Sequence, residues 1–109
     1  MAEFYIASLE HTLKSRQHRY ITFYRPDSAG YAWPLSWSGR YDEAMVRNPK
    51  QYLSDGEDTL AIPCDIVDAI AVQPRKGDID GDAGPVVLNT KEIWAHLRLH
   101  ALIVRSDAA

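Results

Sequence analysis

Tyr20-Ile21-Thr22-Phe23-Tyr24-Arg25-Pro26-Asp27-Ser28-Ala29-Gly30-Tyr31-Ala32-Trp33-Pro34-Leu35-Ser36-Trp37 decides how this chain folds. Tyr20 to Tyr24 is an unbroken run of aromatic and β-branched residues, which suits a pleated surface better than a helix. Arg25 to Gly30 reads as a turn: Pro26 fixes φ, Asp27 and Ser28 can bond nearby amides, and Gly30 permits a positive φ. Tyr31 to Trp37 then has a period of two, with Tyr31, Trp33, Leu35 and Trp37 on one side and Ala32, Pro34 and Ser36 on the other. Pro34 cannot donate to a ladder, so this strand is expected at an edge or bent. Upstream, Phe4 to Leu9 is a third aromatic and aliphatic run, and polar Lys14 to Arg19 reads as a turn. Together they predict an antiparallel three-stranded meander.

Downstream the pattern becomes helical. Asp42 is placed to cap a short helix through Arg47, Asn48-Pro49 to restart it, and Ser54-Asp55-Gly56 to stop it. Thr59 to Cys64 and Ala69 to Val72 read as strands joined by a tight turn over Asp65 to Asp68. Gly77 to Pro85 is a loop. Asn89-Thr90-Lys91-Glu92 resembles a capping box with Asn89 as the cap, opening a helix from about Thr90 to at least Leu99. Leu102-Ile103-Val104 either extends that helix or forms a last strand. The expected architecture is a single α+β domain over residues 1–109. It has a small antiparallel β-sheet or partly open barrel, one short broken helix and one C-terminal helix. The order of elements is not the β-α-β-α alternation of a doubly wound parallel fold.

The composition bounds the function. With 109 residues, 46% hydrophobic and 25% charged, the chain has the make-up of an ordinary globular protein. Its lone cysteine, Cys64, excludes an internal disulfide and a paired-cysteine zinc site. The first residues have no basic leader, and the apolar runs are far too short for a membrane span, so a cytoplasmic protein is expected. A net charge of −3 argues against long-range attraction to nucleic acid. The charge is uneven: residues 1–54 sum to +2 and residues 55–109 to −5. In the fold this could become a mildly basic and an acidic face.

Nine of the eleven aromatic residues lie within the first 41 positions. A small sheet has few places to bury them all. Trp33 and Trp37 are expected in the core beneath the C-terminal helix, whereas Tyr24, Tyr31 and Tyr41 are the better candidates for exposure at an interface. Lys14, Arg16, His18 and Arg19 could touch phosphates or an acidic partner, although a solvated hairpin tip is the commoner outcome. Asp78, Asp80 and Asp82 have the opening spacing of a calcium loop. The match fails where Ala83 replaces the sixth-place glycine and Asn89 the twelfth-place glutamate, leaving a tight surface loop. Glu92, His96 and His100 share one helix face and could approach a metal, but the spacing is not that of a metalloprotease helix. Cys64 ends an apolar strand, where a buried inert thiol is expected. There is no nucleophile elbow, phosphate-binding glycine loop or dinucleotide fingerprint, so no enzyme activity and no cofactor are expected.

The segments Phe4 to Thr12, Tyr20 to Asp27 continuing through Trp33 to Tyr41, and Ile79 to Pro85 resemble small uncharacterised proteins carried by bacteriophages and prophages. What the resemblance implies is context. Small phage accessory proteins are often binders that block a host enzyme or defence complex, anti-CRISPR proteins among them. The expected function is therefore a non-enzymatic protein-binding module that engages a host protein complex through Tyr24, Arg25, Tyr31 and Arg40. The alternatives are a nucleic-acid binder using Lys14, Arg16, Arg19 and Arg25, and a metal-dependent protein built on Asp78, Asp80 and Asp82 or on His96 and His100. A homodimer paired through the Tyr31–Trp37 edge is also compatible with the pattern.

Overall fold

The computed structural model of the chain describes residues 3–9, 19–48, 53–54, 56, 58–79 and 83–102. Its centre is β1 (Glu3–Ser8), buried at every position from Phe4 to Ser8. The run is apolar without alternation because both faces of β1 are covered. Tyr5 and Ala7 point into one cluster with Phe23, Leu60, Ile62, Val67, Trp94 and Leu97. Phe4 and Ile6 point into a second with Tyr41, Val46, Leu53 and Ala61.

One edge of β1 is shared by two short strands. Ala7 pairs with Phe23 of β2 (Phe23–Tyr24), and Glu3 and Phe4 pair with Asp42 and Tyr41 of β4 (Tyr41–Asp42). The other edge is taken by β5 (Thr59–Pro63), in register from Phe4↔Pro63 to Ser8↔Thr59. β3 (Tyr31–Ala32) lies outside β2 and closes the order β3-β2-β1-β4, with β5 flanking β1. Every ladder is antiparallel, and the sheet is open rather than closed into a barrel. The protein is thus α+β, with the expected meander β1-β2-β3 at its heart.

Three helices complete the described fold. α1 (Glu43–Arg47) begins as its cap predicts: the Asp42 side chain accepts from the Met45 N–H at 2.8 Å. The expected restart at Asn48-Pro49 falls on residues 49–52, which lie outside the described residues. α2 (Cys64–Ile70) occupies the segment expected to be a tight turn and a strand. The correction has a physical reason. Cys64 and Val67 are buried, Ile66 and Ile70 half-buried, and Asp65, Asp68 and Ala69 exposed, which is a helical stripe. Splitting the segment at Asp68 hides that period. Val72, the end of the expected strand, makes only an isolated bridge to Val86.

α3 (Lys91–His100) forms where expected, but its cap is Thr90 and not Asn89. Thr90 Oγ1 accepts from the Ile93 N–H at 3.2 Å, while Asn89 Oδ1 accepts from the Trp94 indole N–H at 2.7 Å. The helix ends at His100, and Leu102 bridges Ala61, so the chain leaves α3 in extended form. Ile103 and Val104 lie outside the described residues.

The stretch that decides the fold is itself partly revised. Within Tyr20–Tyr24 only Phe23 and Tyr24 belong to a ladder strand. Tyr20 bridges Leu88, and the Ile21 N–H donates to the Val87 carbonyl at 2.8 Å, so the run changes partner midway. The expected strand Tyr31–Trp37 stops after Ala32, and Leu35–Trp37 is a single 3-10 turn. Pro34 removes a ladder donor, and the Leu35 N–H turns away to the Pro85 carbonyl at 2.9 Å. The edge that could pair with a second copy therefore shrinks to Tyr31–Ala32.

Candidate functional site: an exposed aromatic and arginine surface

The turn between β2 and β3 is tightly specified. The Arg25 N–H donates to the Gly30 carbonyl at 2.8 Å, and the Ala29 N–H to the Pro26 carbonyl at 3.1 Å. Asp27 (φ 58°) and Ser28 (φ 55°) are both left-handed, a conformation that costs an L-residue roughly 1–2 kcal/mol. The buried Tyr41 side chain stabilises it. Its hydroxyl accepts from the Ser28 N–H at 2.9 Å and donates to the Arg25 carbonyl. Tyr41 was expected at the surface, but it is 2% exposed and serves as the post beneath this turn.

Above that post the turn presents Arg25. Its Nε donates to the Tyr31 carbonyl at 3.0 Å, and its guanidinium lies 5.5 Å from the Trp37 ring centroid. Tyr31 meets Tyr24 edge-on with centroids 5.2 Å apart. Tyr31 is 43% and Trp37 41% exposed, while Tyr24 and Arg25 are half-buried. Among the described residues no carboxylate is within ion-pair distance of Arg25, whereas Arg19, Arg40, Arg47 and Arg75 each face one. Three of the four expected binding residues therefore share one surface.

The fourth does not join them. Arg40 lies 3.2 Å from Asp68 Oδ2 and 3.9 Å from Glu3 Oε1, with its guanidinium 5.2 Å from the Tyr5 ring. Its place on the surface is taken by Trp37, which was expected in the core. The 3-10 turn rotates Leu35 inward and Trp37 outward, breaking the period of two. Trp33 is half-buried, packs edge-on against Tyr20 at 5.9 Å, and donates its indole N–H to Thr22 Oγ1 at 3.2 Å. The tryptophan beneath α3 is its own Trp94, 7% exposed.

An open groove of about 540 Å³ runs beside Tyr5, Ser36, Ser38, Arg40 and Asp68. Its hydroxyls are all engaged: Tyr5 donates to Asp68 Oδ1 at 2.8 Å, Ser38 to the Pro34 carbonyl at 3.0 Å, and Ser36 to the Ala83 carbonyl. Burial, reinforced by the hydrogen bond to Asp68, holds the Tyr5 hydroxyl well above its ordinary range. Burial likewise pushes the Cys64 thiol up to about 11, against the opposing charge of Arg40, so it carries little thiolate at neutral pH. No buried side-chain polar atom among the described residues lacks a partner.

The remaining candidate clusters are also placed. Asp78 accepts from the Tyr20 hydroxyl at 2.6 Å and faces Arg19 at 3.4 Å and Arg75 at 3.6 Å. The Arg75 N–H in turn donates to the Tyr20 hydroxyl at 2.8 Å. Asp78 thus latches its loop to the start of the β2 run. Asp80 and Asp82 lie outside the described residues, as do Lys14, Arg16, His11 and His18. Among the described residues no group of three or more His, Cys, Asp or Glu side chains is placed to hold a metal ion. The expected division into basic and acidic faces is partly cancelled, because Arg19 and Arg40 of the first half pair with Asp78 and Asp68 of the second. No helix among the described residues is long and apolar enough to cross a membrane.

The latch sets a pH dependence. The Tyr20 hydrogen bond, with Arg75 and Arg19 beside it, holds the Asp78 carboxyl below its usual value. A depressed folded-state value means that the contribution is complete above the unfolded value of about 3.9 and fades as pH falls through the folded one. Stability measured against Asp78→Asn should therefore show a wild-type advantage at pH 6 that shrinks progressively as pH falls below about 4. An advantage independent of pH would mean that shape, not charge, makes the latch.

No protein-family model, no curated protein and no solved structure matches this chain.

Proposed function

We propose that the chain is a non-enzymatic protein-binding module whose contact surface is Tyr24, Arg25, Tyr31 and Trp37. The observation that carries this reading is Arg25, fixed at Nε by the Tyr31 carbonyl and held over an exposed indole, with no carboxylate within ion-pair distance among the described residues. Tyrosine, tryptophan and arginine are the residues that dominate interface energetics, and a pre-oriented guanidinium loses little entropy on binding. The partner group that fits is an Asp or Glu side chain flanked by apolar surface. The resemblance to phage-carried proteins directs the search to a bacterial host or defence complex, which this chain would antagonise by occupying its surface. The nucleic-acid alternative is disfavoured because Arg19, one of its four basic residues, faces Asp78.

The test is affinity purification from bacterial host lysate with the wild type and with Arg25→Glu, Tyr31→Ala and Trp37→Ala. Each substitution is expected to cost about 2 kcal/mol of binding, roughly thirtyfold in affinity. Arg47→Ala, which removes only an exposed i,i+4 pair with Glu43 on α1, should leave capture intact. A partner retained equally by all four variants would move the interface elsewhere. Capture of nothing by the wild type would count against the reading as a whole.

A further inference from the structure

α3 carries a second pair of chemically capable groups, independent of the aromatic surface. His96 and His100 stand one helical turn apart, with ring centroids separated by 4.9 Å and planes inclined at 65°. His100 is exposed and His96 half-buried. Among the described residues neither imidazole is engaged by a carboxylate or a hydrogen bond. The i,i+4 spacing places both rings on one helix face, as in helix-borne zinc ligand pairs. Imidazole nitrogen suits Zn²⁺, Cu²⁺ and Ni²⁺ and not the hard cations Mg²⁺ or Ca²⁺. Two donors on one rigid helix act as a chelate, the second binding at the high effective concentration set by the first. The pair lies in the second half of α3 with His100 as its last residue, where the helix dipole favours a cation. Glu92, one turn before His96, adds a negative charge to the same face.

We propose that His96 and His100 form a surface site for one divalent late-transition-metal ion, held by two imidazoles with water in the remaining positions. The absence of a third protein donor among the described residues makes it a weak and exchangeable site rather than a closed structural one.

The test is calorimetric titration of the full chain with Ni²⁺ at neutral pH in a non-chelating buffer. One equivalent is expected to bind. His96→Gln and His100→Gln should each weaken binding about tenfold to a hundredfold, the chelate advantage lost with one donor. The decisive variant is Arg98→His combined with His100→Gln, which preserves the number of histidines but sets the two on different helix faces. It should bind as weakly as the single substitutions. His11→Gln with His18→Gln should bind as the wild type does. Circular dichroism checks folding, and exposed His100 carries the test if the His96 variant does not fold. No uptake by the wild type, undiminished binding in the register variant, or loss of binding in the His11/His18 variant would each overturn the proposal.

Discussion

Replacing Gly39 with alanine is expected to lower stability by about 2–3 kcal/mol, read as a fall of roughly 10 °C or more in melting temperature. A Cβ at this position would stand 2.8 Å from Pro26 Cα, 2.9 Å from Pro26 N and 2.8 Å from Tyr41 Cε1. None of the three can give way easily. The Pro26 atoms are backbone of the tightly hydrogen-bonded turn, and the Tyr41 ring is buried with its hydroxyl engaged at both Ser28 and Arg25. Gly39 cannot retreat either, because its N–H donates to the Tyr24 carbonyl at 2.9 Å. The glycine is needed here for close approach, not for an unusual φ. Gly77 provides the contrast: its φ is +93° and a Cβ there would meet nothing within 4 Å, so Gly77→Ala should cost about 1–2 kcal/mol of conformational strain with no clash added. Thermal denaturation of both variants checks the pair. Equal effects would mean that the packing of Gly39 against Pro26 and Tyr41 is looser than described. The clash also reaches the proposed binding surface, since Pro26 and Tyr41 hold the turn that presents Arg25.

That arrangement shows what local sequence can and cannot reveal. The strand at Phe4–Leu9, the turn at Arg25–Gly30 and the Asp42 cap were legible because each depends on neighbouring residues: a β-rich run, a proline with a glycine, an acceptor three residues before a free amide. What was illegible depends on residues far away in sequence. Trp37 faces outward because Leu35 bonds to Pro85, fifty residues on. Arg40 leaves the aromatic surface because Asp68 sits on a helix that packs beside Tyr5. α2 was hidden because its seven residues mix apolar and acidic types, and each half also fits another element. Tyr41 was misplaced because a tyrosine tip can be satisfied by buried backbone as well as by water. The covering of both faces of β1 explains the remaining discrepancy. Five of the nine N-terminal aromatics, Phe4, Tyr5, Tyr20, Phe23 and Tyr41, are buried, Tyr24 and Trp33 are half-buried, and the two exposed ones, Tyr31 and Trp37, both lie beside Arg25.

The adjacent residues Phe23 and Tyr24 are expected to give opposite phenotypes, and this is the sharpest test of how the fold supports the surface. Phe23 is fully buried and packs 5.8 Å from the Tyr5 ring. In the ladder it stands between Ala7 on β1 and Ala32 on β3, with all three side chains on one face of the sheet. Phe23→Ala would set three alanines side by side, and neither cross-strand neighbour, Ala7 or Ala32, is large enough to close the cavity; Leu60 lies beyond Ala7. The loss should therefore fall in the range for aromatic truncation, about 3–5 kcal/mol, a large share of the roughly 5–15 kcal/mol that holds a small domain together. Phe23→Leu refills most of the volume and should recover much of it, leaving a deficit of about 1–1.5 kcal/mol. Tyr24 faces the other way, half-buried beside Tyr31. Tyr24→Ala should cost about 1 kcal/mol of stability, in keeping with a partly exposed side chain, while weakening partner capture. Denaturant midpoints with unchanged slopes would separate the two effects, because stability alone then accounts for the shift. If Phe23→Ala instead remained as stable as the wild type, the row Ala32–Phe23–Ala7 would not be the packed centre of the sheet. The turn carrying Arg25 would then lose the foundation on which its orientation depends.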